Sequence, residues 1–100
     1  MEGLKYWRGV LDGLDTTIVR ILVQREVVSK VIGEIKIEDG LDVYQHSREQ
    51  EIVNRLTLLY SKLGGSHHDP SGYIARIYRP VFGQSKEIQD GVPYQDHSEA

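Results

Sequence analysis

Apolar residues in the first part of the chain return with a helical period. Val10, Leu11, Leu14, Ile18, Ile21 and Leu22 are followed by Val28, Val31, Ile32 and Ile35, close to the i, i+3, i+4, i+7 spacing that draws one apolar stripe along a helix. The pattern predicts a single helix from residue 4 to about residue 38, roughly 50 Å long by the helical rise. Gly9, Gly13 and Gly33 interrupt it, each costing about 1 kcal/mol relative to alanine in an exposed helix interior. A helix of that length is too long for a compact monomer of 100 residues. Long uninterrupted helices pack against other helices, so a dimer is the economical reading.

The segment Glu38-Asp39-Gly40-Leu41-Asp42 breaks the pattern, with Gly40 suited to a C-terminal cap. After Val43, Tyr44, Gln45 and His46, the pair Ser47 and Gln50 has capping-box spacing and predicts the start of a second helix. That helix carries Ile52, Val53, Leu56, Leu59 and Leu63 and stops at Gly64-Gly65. Asp69-Pro70 then reads as an N-cap followed by proline at the first helical position. The third helix carries Tyr73, Ile74, Ile77, Tyr78, Val81, Phe82 and Ile88, with a kink expected at Pro80. From Gly91 onward the tail GVPYQDHSEA is polar and expected to fray. The fold class is therefore all-α: one long N-terminal helix and two shorter ones over residues 1–90, with 91–100 as a tail.

Charge narrows the function. The net charge of −3 argues against nonspecific nucleic-acid binding, which needs a basic field, so any basic site must be local. The absence of cysteine excludes disulfides and thiol chemistry. No stretch approaches the length of a membrane span, and a cytoplasmic enzyme or binding domain is the default expectation.

One local basic site stands out. Within REVVSKVIGEIK, Arg25, Ser29, Ile32 and Lys36 share one stripe of the first helix. The two cations sit roughly 16 Å apart along the backbone by the helical rise, and their long side chains can close on a small anion between them. Arg48 adds a third cation at the start of the second helix, with Glu49 beside it. Ser85 and Gln89, at i and i+4, offer polar groups on the third helix, although that spacing equally suits a plain polar face. Lys30, Lys62 and Lys86 read as solvated. His67-His68-Asp69 are too close in sequence to supply a tetrahedral metal site, and His46 reads as local polar structure. There is no nucleophile elbow for a serine hydrolase.

Taken in order, WRGVLDGLD, VQRE, VIGEIK, VYQHSRE and QSKEIQ make the chain similar to the all-helical chorismate mutase family over residues 7 to about 90. The resemblance implies an intertwined homodimer of three-helix chains that rearranges chorismate to prephenate without cofactor, metal or covalent intermediate. It implies that Arg25 and Arg48 clamp substrate carboxylates, joined by Arg8 from the partner chain and assisted by Ser85. Lys36 and Gln89 would face the ether oxygen, and Glu49 would accept from the ring hydroxyl. Gln45 departs from the family, which commonly has an aspartate there; a glutamine still hydrogen-bonds a hydroxyl but brings no charge. That leaves open related substrates, 4-amino-4-deoxychorismate or isochorismate. A helical dimer with a decayed site is the non-enzyme alternative, and six polar groups kept at these spacings argue against it.

Overall fold

The computed structural model describes residues 2–44 and 46–91. They form α1 (Glu2–Asp39), α2 (His46–Lys62) and α3 (Pro70–Asp90), and no strand occurs among the described residues. The expectations for Gln45 and for the tail beyond Gly91 lie outside those residues.

The helix ends follow from local chemistry. At the end of α1, Gly40 takes a left-handed φ of 66°. Its N–H donates to the Ile37 carbonyl at 3.3 Å, and Leu41 N–H donates to the Lys36 carbonyl at 2.8 Å, the paired bonds of a Schellman cap. Gly64 and Gly65 repeat the arrangement at the end of α2, donating to Ser61 and Tyr60. Asp69 caps α3, its carboxylate accepting from Gly72 N–H at 3.2 Å ahead of Pro70. The expected capping box at Ser47 differs in detail. α2 begins one residue earlier, at His46, and Gln50 donates onward to Asn54 at 3.1 Å instead of reaching back. Pro80 does not end α3. Pro80 and Arg76 are both exposed, so water can meet the carbonyl that the proline ring leaves without a donor.

Packing is sparse within one chain. α3 lies against both α1 and α2, and only Ile74, Phe82, Ser29 and Gly33 are buried among the described residues. The radius of gyration, 16.6 Å, exceeds the roughly 13 Å of a compact chain of this length. Along α1 the apolar stripe stays open, with Leu11, Leu14 and Ile18 more than half exposed.

Gly33 is the tight point of the chain. A Cβ there would stand 2.7 Å from Gln89 Cα and 2.8 Å from the Gln89 carbonyl oxygen. Both are backbone atoms, so no rotamer change relieves the clash. The glycine that weakens an isolated helix is what lets α3 approach α1. Gly33→Ala gains about 1 kcal/mol of helix propensity, but overpacking of this kind costs about 1–3 kcal/mol. The variant is expected to unfold at a lower temperature than the parent, with activity falling in parallel. Thermal melts at matched concentration check this, and an unchanged midpoint would mean that α3 has room to move.

Candidate active site

α1, α2 and α3 converge on an open pocket of about 510 Å³. Arg25, Ser29 and Lys36 enter it from α1, Arg48 and Glu49 from α2, and Ser85, Lys86 and Gln89 from α3. Ile21, Val28, Ile32, Ile52 and Phe82 supply apolar walls. Four cations line the pocket against one carboxylate, that of Glu49. This local excess opposes the net charge of −3 on the chain, as a site for a small polyanion requires.

At one end, Arg25 Nη1 donates to Ser85 Oγ at 3.1 Å, and Ser29 Oγ lies 3.3 Å from the same oxygen. With its oxygen accepting from both neighbours, the Ser85 hydroxyl keeps its own proton for a ligand. Ser29 is 6% exposed, so this end of the pocket is fixed from beneath.

At the other end, Lys36 Nζ donates to the Val43 carbonyl at 2.9 Å and to Gln89 Oε1 at 2.7 Å. An ammonium has no acceptor, so Gln89 must turn its amide oxygen toward Lys36. Its amide nitrogen then points elsewhere as a donor. Lys36 and Gln89 thus each keep donor capacity in a pocket that both residues line.

On the α2 wall, the Arg48 guanidinium pairs with Glu51 at 3.4 Å, both side chains well exposed. Such a pair contributes about 0–1 kcal/mol, so an incoming carboxylate displaces it at little loss. Glu49 pairs with Lys86 at 3.2 Å, and Lys86 Nζ also stands 4.5 Å above the Tyr44 ring.

Six of the eight residues expected at the site line this pocket: Arg25, Lys36, Arg48, Glu49, Ser85 and Gln89. Gln45 lies outside the described residues. Arg8 is not among the lining residues; it is exposed on α1, about 25 Å from Arg25 along the helix by its rise. Lys86 corrects the sequence reading: it is a wall of the pocket and not a solvated cation, because Glu49 faces it across the α2–α3 contact. The Val43 carbonyl was equally missed. A signal for Lys86 existed, since Phe82, Ser85, Lys86 and Gln89 share one face of a helix at i, i+3, i+4 and i+7.

Among the described residues, His46 and His67 serve local structure. His67 stacks on Tyr73, with centroids 4.8 Å apart, and its Nδ1 accepts from Asp69 N–H at 2.9 Å. Nδ1 of His46 lies 2.9 Å from the Tyr44 hydroxyl. No metal-binding group of three or more His, Cys, Asp or Glu occurs among the described residues. Nor is any described helix long and apolar enough to cross a membrane.

Three helices thus surround a cation-lined pocket, with a lysine–glutamine pair at one end, whose charge suits a small anion. Residues 7–90 match the profile of chorismate mutase type II, and the chain belongs to that family of isomerases, which acts on chorismate. It is 35% identical over 89 residues to the bifunctional chorismate mutase/prephenate dehydratase of Aquifex aeolicus, covering 89% of this chain and 24% of that protein. It is 33% identical over 76 residues to the intracellular chorismate mutase of Mycobacterium tuberculosis, covering 76% of this chain and 69% of that protein. The T-protein of Haemophilus influenzae is 29% identical over 89 residues, 88% of this chain and 23% of the relative. The chain thus spans about a quarter of the length of the bifunctional relative. No solved structure gives a significant match.

Proposed function

We propose that this chain rearranges chorismate to prephenate as a homodimer with shared active sites, in cytoplasmic aromatic amino acid biosynthesis. The observation that carries the reading is the separation of two donor sets within one pocket: Arg25 with Ser85 at one end, and Lys36 with Gln89 at the other.

The chemistry needs such a layout. Chorismate carries two carboxylates, and its rearrangement breaks one carbon–oxygen bond while a carbon–carbon bond forms within the same molecule. Negative charge grows on the ether oxygen as the first bond lengthens. Arg25 and Arg48 hold the carboxylates so that the side chain lies over the ring, which replaces a rare conformer by a bound one. Lys36 and the Gln89 amide meet the developing charge. Glu49 accepts from the ring hydroxyl, and Gln45 lies close by in sequence. No group on the chain needs to gain or lose a proton, and no cofactor or metal takes part.

Two features support the dimer. The N-terminal part of the α1 stripe, with Leu11, Leu14 and Ile18, stays exposed among the described residues, and Arg8 sits too far from the pocket to serve it in cis. A second chain laid along α1 covers the stripe and carries its own Arg8 to the first chain's pocket.

The test is a direct product assay with purified chain on chorismate, isochorismate and 4-amino-4-deoxychorismate, with and without EDTA. Prephenate is expected from chorismate at a rate unchanged by chelation. Turnover of isochorismate alone would replace the substrate assignment, and loss of activity with EDTA would replace the mechanism.

A further inference from the structure

Resting on that reading, we infer that Lys86 is a specificity-determining residue that makes the ring end of the pocket select a neutral hydroxyl over an ammonium.

Glu49 is the only carboxylate among the described pocket-lining residues. An anionic substrate keeps its carboxylates away from it, so the ligand group that meets Glu49 is a hydrogen-bond donor. Two donors of similar size compete for that place: the ring hydroxyl of chorismate and the ring amine of its 4-amino analogue. A primary alkyl amine is ammonium near neutral pH. An unpaired carboxylate would favour the ammonium, because a hydrogen bond to a charged partner is stronger than one to a neutral donor.

Lys86 removes that advantage. Its Nζ lies 3.2 Å from Glu49 Oε2, so the carboxylate charge is already matched when the substrate arrives. The remaining lone pairs of Glu49 still accept from a neutral hydroxyl. An ammonium at the same place would face the ammonium of Lys86, and juxtaposed like charges discriminate against a wrong partner. The Tyr44 ring beneath Lys86 Nζ, at 4.5 Å, holds the cation against this wall. The Lys86 side chain is only 35% exposed, so water screens the repulsion in part.

The experiment compares kcat/KM for chorismate and for 4-amino-4-deoxychorismate in the wild type, Lys86→Met and Lys86→Arg. Methionine keeps most of the stem and removes the charge. The ratio of the two kcat/KM values is expected to move toward the amine by about tenfold or more in Lys86→Met, a magnitude that allows for screening. Lys86→Arg should retain the preference of the wild type. A purely structural role would lower both substrates together and leave the ratio alone, so folding losses cannot imitate the result. Wild-type turnover of chorismate with an unchanged ratio in Lys86→Met removes the assignment of Lys86 while the mutase reading stands. A folded wild type that turns over neither substrate removes both.

Discussion

Lys36→Ala is expected to lower kcat/KM by about 10²–10³-fold, the usual loss when one preorganised donor to a developing charge is removed. A millionfold acceleration corresponds to roughly 8 kcal/mol, and one donor of this kind supplies about 3–4 kcal/mol of such a total. Lys36 is the best placed of the pocket's groups to do so. Its ammonium is fixed by the Val43 carbonyl and by Gln89 Oε1, so it needs little reorganisation as charge appears. The effect on stability should be far smaller, because the side chain is only half-buried and packs no core. Steady-state kinetics beside a thermal melt separate the two. A folded Lys36→Ala protein with near wild-type turnover would take Lys36 out of the chemistry.

Arg8→Ala and Arg48→Ala are each expected to be nearly inactive alone, yet to restore one another when mixed. Arg8 and Arg25 lie about 25 Å apart along α1, and one small molecule cannot bridge them in a single chain. If Arg8 serves the pocket of the partner, each site is built from both chains. Unfolding the two variants together and refolding them makes about half of the dimers mixed by random assortment. In each mixed dimer one site lacks both arginines and the other has both. Activity is therefore expected to return to about a quarter of wild type, as random assortment dictates. If mass spectrometry finds mixed dimers and activity stays at the level of the parents, the site is not shared.

The legible parts of this molecule were those decided within one helix. The apolar stripe of α1, the glycine stops at Gly40 and Gly64, and the Asp69 cap are local, and each is found within a residue or two of its expected place. Arg25, Ser29 and Lys36 share a pocket wall for the same reason: one helix fixes their relative azimuth. What periodicity could not deliver was the contact between helices. Gly33 reads as a weakness until Gln89 backbone is set against it, although Ser29 and Gly33, two small residues one turn apart, mark a face suited to close approach. Lys86 reads as solvated until α3 turns it toward Glu49. The residue that best tells one helix rotation from another is thus the one that sequence left aside. The capping box at Ser47 failed on a smaller scale, since Gln50 has a competing partner in Asn54 one turn ahead.

The open stripe on α1 also bears on how the chain reaches its native state. A single chain displays Leu11, Leu14 and Ile18 to water, with only a thin core of its own to hold it. In the dimer proposed above, the last folding step is a collision between two molecules, second order in chain concentration. Dilute chains wait for a mate in a marginal state, and the same sticky surface at high concentration invites wrong associations. Correct assembly is favoured in a window between these limits, so the rate of synthesis governs the yield of folded protein along with the sequence itself.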